Sequence, residues 1–179
     1  AAINYYSSLG FEYVDTPWVV SPDIARITCP PQGVLDNVDG QGTLVASAEQ
    51  GFLQMDADGL LDGVNFVSCG PCFRFTDQGR DEVHHPYFMK VELYVRLEDT
   101  VNGNAVMKEL ANRAASFMRR QYEANVEAVY MEDGTIDLEL NGIEVGSYGW
   151  RNHPAVGSWA YGTGIAEPRF TQALYHEEV

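Results

Sequence analysis

The sequence predicts an α+β fold, an antiparallel β-sheet flanked by helices, and three observations carry that prediction. Apolar residues recur at three- and four-residue spacing from Asn104 to Tyr122, which indicates a helix packed on a sheet. Short strand-like runs follow one another along the chain. The turn dipeptides Asp133-Gly134 and Asn141-Gly142 join the later runs into a meander of hairpins. Many antiparallel strands with few helices are typical of the α+β class.

The other elements can be assigned in chain order. Residues 1–9 indicate the end of a helix with Gly10 as its cap, followed by a strand from Phe11 to Val20 that Pro17 interrupts. Residues 21–42 are rich in Pro, Gly and Asp, so we expect a loop there. The remaining predicted elements are a strand at 43–46, a helix from Ser47 to about Met55, strands at 65–75 and 87–96 around a polar loop, and meander strands at 126–131, 135–140 and 143–150.

The composition is that of one folded unit. The chain has 179 residues, with 45% hydrophobic and 12% aromatic side chains, which excludes a disordered segment. No apolar run approaches the roughly 20 residues that a membrane span needs, and the first residues lack a basic signal-peptide region. We therefore expect a single domain over residues 1–179, cytoplasmic and without membrane contact.

The charge balance restricts the partners. The chain carries 11 basic and 26 acidic residues, and Lys90 and Lys108 are its only lysines. Nucleic-acid binding depends on cations that neutralise phosphates, so we expect neither DNA binding nor direct tRNA binding without a partner protein. The net charge of -15 is equally compatible with a need for solubility and with a salt-adapted source.

Three cysteines, an odd number, argue against a disulfide framework. Cys69 and Cys72 form a CxxC pair that, with His84 and His85, would be a conceivable zinc ligand set. The favoured alternative is that Cys72 is a small buried thiol beside the functional site.

The Asn141-Gly142 hairpin predicts a row of carboxylates. A two-residue turn pairs Leu140 with Ile143, Glu139 with Glu144 and Leu138 with Val145, which places the apolar residues on one face. Asp137, Glu139 and Glu144 then share the other face. Opposed carboxylates repel unless a cation lies between them, and oxygen ligands suit Mg²⁺. From the pattern alone, a solvated outer face is the simpler explanation.

Three separated stretches resemble the signature motifs of one enzyme family, in the correct order. They are Gly10 to Pro17, then Cys72-Phe73-Arg74 through His85-Pro86-Tyr87-Phe88, then Gly162-Thr163-Gly164-Ile165 to Arg169. They resemble motifs 1, 2 and 3 of class II aminoacyl-tRNA synthetases. Further similarity is to the aspartyl and lysyl group and to aspartate–ammonia ligases, and it lies in Val45 to Gln50, Phe88 to Tyr94, and Leu140 to Gly146 continuing to Arg151 and His153.

The resemblance implies an ATP site. In it, Arg74 would bind the α-phosphate and the reacting carboxylate, and Arg169 would bind the γ-phosphate and adenine. Phe88 would stack on adenine, and His84 or His85 would meet the γ-phosphate. Glu144, with Glu139 beside it, would hold Mg²⁺. The resemblance makes Arg74, Arg169 and Glu144 the catalytic residues, and Gly162 and Gly164 would let the backbone approach the nucleotide.

The resemblance also implies an amino-acid site. Glu49, with Ser47 before it, would hold the substrate ammonium, Glu92 would line the pocket, and Arg151 would bind a side-chain carboxylate. Local physics offers other roles: Ser47 as a helix N-cap with Glu49 in the first turn, and Arg151 in a surface ion pair.

The function implied is ATP-dependent activation of an amino acid, preferably aspartate-like, as its adenylate. The acceptor would be ammonia, a protein, a small molecule or a tRNA held by a partner. Motif 1, around Pro17, implies a homodimer. Two departures leave an alternative open: Thr76 replaces the motif 2 glutamate, and Pro168 enters motif 3. A catalytically degenerate paralogue would act as an amino-acid or nucleotide-binding or dimerisation module. A structural protein with chance matches is a third possibility.

Overall fold

The computed structural model describes residues 1–30, 33–99 and 101–176, and its elements are numbered here in chain order. The helices are α1 Ala2–Ser8, α2 Pro22–Thr28, α3 Ala48–Ala57, α4 Gly103–Tyr122 and α5 Arg169–Leu174. The strands are β1 Glu12–Tyr13, β2 Val19–Val20, β3 Asn37–Val38, β4 Gly42–Leu44, β5 Asn65–Phe73, β6 Tyr87–Leu97, β7 Glu127–Tyr130, β8 Ile136–Leu140, β9 Ile143–His153 and β10 Gly157–Glu167.

A seven-stranded sheet organises the molecule, in the order β1-β5-β6-β10-β9-β8-β7. Its pairings are antiparallel except for β1, which runs parallel to β5. Strands β2, β4 and β3 form a separate small sheet. The predicted α+β class with an antiparallel sheet is therefore confirmed. None of the described helices combines the length and apolarity required to cross a bilayer.

The two faces of the large sheet carry different cores. Helix α4 packs across β8, β9 and β10, and its buried residues, among them Leu110 and Phe117, join α1 and α5 in one apolar cluster. Helices α2 and α3 cover the opposite face, where Phe52, Tyr94 and Trp159 belong to a second cluster. The polar side chains discussed below lie on this second face.

Residues 21–42 are not a continuous loop, and that prediction is wrong. Ser21 caps helix α2 by accepting a hydrogen bond from the Ile24 backbone N–H at 3.3 Å, and Pro22 occupies the first turn. Both are standard helix-start signals, outweighed in the sequence by the surrounding Pro and Gly residues. Residues 37–38 form β3, and residues 31 and 32 lie outside the described residues.

The predicted hairpin register holds only near its turn. Leu140 pairs with Ile143 and Glu139 with Glu144, but a β-bulge shifts the next pair, so that Leu138 faces Gly146 instead of Val145. The predicted strand from Phe11 to Val20 is likewise two short strands in different sheets. Strand β10, the central strand of the large sheet, was not predicted.

Candidate active site

A cavity of about 510 Å³ opens on the α2–α3 face of the sheet. Its wall is built from β6, β9, β10, the ends of β4 and β5, the start of α5 and the segment after α2. Most of the residues singled out from the sequence meet in this wall: Ser47, Glu49, Arg74, His85, Phe88, Glu92, Glu144, Arg151 and Arg169.

Strand β6 supplies the floor. Its side chains alternate between the two faces of the sheet, so that Phe88, Lys90 and Glu92 all point into the cavity. Val91 and Leu93, which point to the other face, pack against the α4 side. One strand thus lays an aromatic ring, a cation and an anion side by side.

Arg74 stands at one end of this floor, directly after β5. Its Nε donates a hydrogen bond to the Ala46 carbonyl at 3.1 Å, and its guanidinium carbon lies 5.1 Å from the Phe88 ring centroid. The hydrogen bond and the ring fix the plane of the guanidinium while its terminal nitrogens remain able to bind an anion. This arrangement suits the phosphate contact that the motif implies.

Arg169 enters the same end of the cavity from the first residue of α5. Its Nη1 lies 3.4 Å from Glu144 Oε2 on β9, and its side chain is 18% exposed against 44% for Glu144. The pair holds a cation and a carboxylate together at the mouth of the cavity.

Three carboxylates share the cavity-facing side of the β8–β9 hairpin. Glu139 lies directly opposite Glu144, although only Glu144 reaches the cavity wall, and Asp137 faces Ser147. Partial burial, with a further contribution from the nearby Glu144, raises the pKa of Asp137. No group of three potential metal ligands occurs within residues 1–30, 33–99 and 101–176. The Glu144 carboxylate, with substrate phosphates as further ligands, is nevertheless compatible with Mg²⁺, which proteins commonly bind through one or two carboxylates.

The two histidines of motif 2 separate. His84 turns away from the cavity and bonds Asp81 through its Nδ1 at 2.6 Å, whereas His85 lines the cavity. Gln172 of α5 fixes His85: its Oε1 lies 3.3 Å from His85 Nε2, and its Nε2 donates to the Glu82 carbonyl at 3.1 Å. Because a carbonyl only accepts, the orientation of the amide is determined, and His85 Nε2 must carry a hydrogen.

Glu49 anchors the opposite end of the cavity. It is 5% exposed, and its Oε1 accepts hydrogen bonds from Trp159 Nε1 at 2.8 Å and Arg151 Nε at 3.1 Å. Burial raises the pKa of Glu49, an effect that Arg151 opposes. Arg151 also lies over the Tyr161 ring, 4.7 Å from its centroid. Only one Glu49 oxygen is engaged by these two donors.

Glu92, 1% exposed, lies beside Glu49. Its Oε2 accepts hydrogen bonds from Ser47 Oγ and Lys90 Nζ, each at 2.5 Å. Ser47 Oγ also accepts a hydrogen bond from the Glu49 backbone N–H at 3.3 Å. The Ser47 side chain therefore both caps α3 and contacts Glu92 in the cavity.

The structure gives Gly162 and Gly164 a packing function and does not bring them to the cavity wall. A Cβ on Gly162 would lie 2.4 Å from Tyr148 Cδ1, and one on Gly164 would lie 2.8 Å from Val91 Cγ1. Between them, Thr163 points into the cavity. The two glycines therefore make room for neighbouring side chains on the sheet's other face, which the motif by itself does not indicate.

The side chains of Cys69 and Cys72 do not point toward a common site. Residues three apart on a strand point to opposite faces, and Cys69 is exposed while Cys72 is fully buried on β5. Burial raises the pKa of the Cys72 thiol. A small buried thiol beside the cavity describes Cys72 well.

Lys90, Trp159 and Gln172 also contribute to the site, although none of them was predicted from the sequence. The signal for Lys90 was present, since it lies two residues from both Phe88 and Glu92 on a predicted strand and so shares their face. Trp159 and Gln172 act through partners more than 80 residues away, at a separation of 110 for Trp159–Glu49 and 87 for Gln172–His85. Contacts over such separations cannot be predicted from a local sequence pattern.

Proteins of known structure resemble this chain closely in fold but little in sequence. No protein-family model matches the chain, and no curated protein matches it. A solved cytoplasmic serine–tRNA ligase from Naegleria fowleri, in complex with AMP, superposes with a TM-score of 0.82 at 17% identity, over 98% of this chain and 52% of that one. The fold is that of a class II aminoacyl-tRNA synthetase catalytic domain.

Two further structures share this class II fold. Seryl-tRNA synthetase from Pyrococcus horikoshii, complexed with ATP, gives a TM-score of 0.76 at 21% identity, over 99% of this chain and 49% of that one. The pyrrolysyl-tRNA synthetase PylSc from Desulfitobacterium hafniense gives 0.70 at 16% identity, over 96% and 65%. The chain therefore spans about half the length of the two seryl enzymes.

Proposed function

We propose that this protein activates an amino acid with ATP, forming an enzyme-bound aminoacyl-adenylate and pyrophosphate. The observation that carries the proposal is the division of one cavity into two ends. Arg74 and Arg169 provide anion-binding cations at one end, and the buried Glu49 provides an ammonium-binding carboxylate at the other. The class II fold supports it, because the solved neighbours include complexes with AMP and with ATP.

The chain's own residues would act by positioning and charge stabilisation, without a protein nucleophile. Arg74, fixed by the Ala46 carbonyl and Phe88, binds the α-phosphate while Phe88 supports the adenine ring. Arg169 and His85 bind the distal phosphates, which leave as pyrophosphate. Glu144, with Glu139 behind it, would hold Mg²⁺. When bound, the metal ion would neutralise part of the phosphate charge.

The amino acid would lie at the Glu49 end. We propose that the substrate ammonium pairs with Glu49, in a pocket that Ser47 and Glu92 complete. Arg151 uses its Nε on Glu49, which leaves its terminal nitrogens able to form a bidentate pair with a side-chain carboxylate. This supports an acidic substrate, aspartate-like in size.

The partners follow from charge and surface. A net charge of -15 argues against direct contact with DNA or with an unaided tRNA, so the acceptor would be ammonia, a protein, a small molecule or a partner-held tRNA. We propose a homodimer through the motif 1 region, where Tyr13 and Trp18 expose large apolar surfaces. The residues 1–179 would form one catalytic domain, working in the cytoplasm.

Amino-acid-dependent pyrophosphate–ATP exchange, screened over all twenty amino acids with Mg²⁺, tests the proposal. Exchange with one or two amino acids is expected, aspartate among them.

Arg74→Ala and Arg169→Ala should abolish exchange, whereas Arg113→Ala, at a surface arginine paired with Glu109, should not. Arg151→Lys should raise the KM for an acidic substrate with little change in the KM for ATP. Unchanged nucleotide affinity in folded Arg74→Ala and Arg169→Ala proteins would contradict the site.

One observation favours the alternative of a non-catalytic binding module. Thr76 lines the cavity where motif 2 of the family carries a glutamate, so one polar contact to the nucleotide or substrate is missing. Such a module would be stabilised thermally by ATP or an amino acid but would give no exchange with any of the twenty.

A further inference from the structure

Lys90 is a buried cation that the proposed ATP and amino-acid contacts leave unassigned. It is 9% exposed, lies in the cavity wall and is one of two lysines in the chain. Its ammonium group has three N–H donors, and Glu92 Oε2, at 2.5 Å, occupies one of them. A buried charge with remaining donors that face a cavity is costly unless a ligand uses them.

The position of Lys90 is the midpoint of the cavity floor. It lies about 7 Å along β6 from both Phe88, at the nucleotide end, and Glu92, at the amino-acid end. On the neighbouring strand β5, Lys90 pairs with Gly70 and Phe88 pairs with Cys72, two residues before Arg74. The Glu92 oxygen that binds Lys90 also accepts a hydrogen bond from Ser47, two residues before Glu49. Lys90 therefore stands between the phosphate-binding arginine and the ammonium-binding carboxylate.

A second cation at that point would assist adenylate formation. A carboxylate oxygen of the amino acid bonds to the α-phosphorus, and the bond from that phosphorus to the bridging oxygen breaks as pyrophosphate leaves. Both reacting groups are anions, so their approach is opposed by Coulomb repulsion, most strongly in a cavity that excludes water. Arg74 would contact the α-phosphate and the carboxylate from the nucleotide end, and a cation on the side of Glu49 and Glu92 would neutralise the carboxylate from the other end.

We propose that Lys90 is a catalytic residue whose ammonium group binds the reacting carboxylate of the amino acid and neutralises it as it attacks the α-phosphate. This inference rests on the proposed adenylate-forming function. In the same position Lys90 retains its ion pair with Glu92, which holds the ammonium group over the junction of the two substrates.

Replacing Lys90 alone would leave Glu92 as an unpaired buried charge, so the test uses a matched pair of variants. Lys90→Met/Glu92→Gln removes both charges, and Glu92→Gln removes only the partner. If Lys90 acts on the substrate, kcat for exchange should fall about 100-fold further in the double variant than in Glu92→Gln, with little change in the KM for ATP. Lys108→Met, at an exposed lysine on α4, should match the wild-type protein.

The outcomes separate the two proposals. Equal kcat in Glu92→Gln and the double variant would show that Lys90 only holds Glu92, and would overturn this inference while leaving adenylate formation intact. Absence of exchange in the wild-type protein with every amino acid would overturn both.

A second measurement covers the case in which Glu92→Gln is itself inactive. Acetic anhydride labelling of the wild-type protein, followed by peptide mass spectrometry, reports Lys90 and Lys108 separately. The amino acid identified by exchange should lower the ratio of Lys90 to Lys108 acetylation, a ratio that corrects for the reagent consumed by the amino acid's own amine. An unchanged ratio with and without that amino acid would overturn the contact.

Discussion

At the scale of single residues, the cavity is a set of charges held out of water by specific partners. Glu49 is bonded by an indole and a guanidinium, Glu92 by a lysine and a hydroxyl, and Arg74 by a backbone carbonyl. Buried charges persist only when paired in this way, because an isolated one would neutralise by shifting its pKa. The pairs therefore keep the cavity charged and ready for ligands.

Glu49 gives a prediction about pH. Burial raises its pKa in the folded protein, so the folded state binds a proton more tightly than the unfolded state does. The stability that Glu49 contributes is fully present below about pH 4.3, the unfolded value for glutamate, and is lost as pH rises through the raised folded pKa. Glu49→Gln should therefore become progressively more stable relative to wild type over that interval, and the difference should then level off.

Free energies of unfolding from urea titrations at successive pH values would measure this difference. Glu132→Gln, at an exposed glutamate, controls for the loss of one carboxylate. A wild-type-minus-Glu49→Gln difference that is flat, or that slopes the opposite way, would contradict the assignment of burial as the dominant effect.

At the scale of elements, β10 organises the site. The register shift between Thr163 and Ile165 coincides with two buried tyrosines whose hydroxyls donate to its carbonyls. Tyr148 bonds the Thr163 carbonyl at 2.6 Å and Tyr6 bonds the Gly164 carbonyl at 2.9 Å. These bonds fix the strand where Thr163 enters the cavity, and the neighbouring glycines leave room for the rings.

Gly162→Ala should therefore destabilise the protein. Its Cβ would lie 2.4 Å from the ring of Tyr148, which is fully buried and cannot move aside, and overpacking of this kind costs about 1–3 kcal/mol. Gly70→Ala on β5 is the matched control, because its Cβ would meet Trp18 Nε1 at an ordinary 3.6 Å. Urea unfolding midpoints of the two variants measure the effect, and equal midpoints would disprove the packing role.

At the scale of the whole molecule, the charge excess lies outside the cavity. Four of the 11 basic residues, Arg74, Lys90, Arg151 and Arg169, line the cavity, but so do the four carboxylates of Asp36, Glu49, Glu92 and Glu144, so the net charge of -15 belongs to the rest of the molecule. Self-repulsion among the surface carboxylates opposes the compact state. The cavity cations can bind anionic groups of a substrate, whereas the acidic surface repels polyanions.

This distribution predicts that salt stabilises the protein. Raising NaCl from about 0.01 M to about 1 M shortens the Debye length from about 30 Å to about 3 Å and so screens the surface repulsion. The thermal midpoint should rise, and it should rise more steeply for Lys108→Glu, which adds negative charge to the exposed face of α4. A midpoint that falls with salt would show that attractive surface pairs dominate instead.

Features that depend on neighbours along the chain could be predicted from the order of the residues alone. The periodicity from Asn104 to Tyr122 matches α4 to within one residue, because an amphipathic helix repeats its pattern every three to four residues. The Asn141-Gly142 turn was equally clear, since Asn141 and Gly142 both adopt the positive φ that this turn requires. The α+β class follows from the same local information, whereas the cavity residues were predicted from the resemblance to the three motifs.

The pairing of the buried charges, in contrast, depends on the folded arrangement of the strands and helices. The pair between Arg151 and Glu49 joins residues 102 positions apart, and no local spacing distinguishes it from a pair of solvated charges. The bulge at Leu138 depends on packing across the sheet, where one extra residue reverses which side chains face the core. The contacts of Lys90 and Gln172 arise in the same way, because strands and helices that are far apart in sequence become neighbours only when the whole sheet has formed.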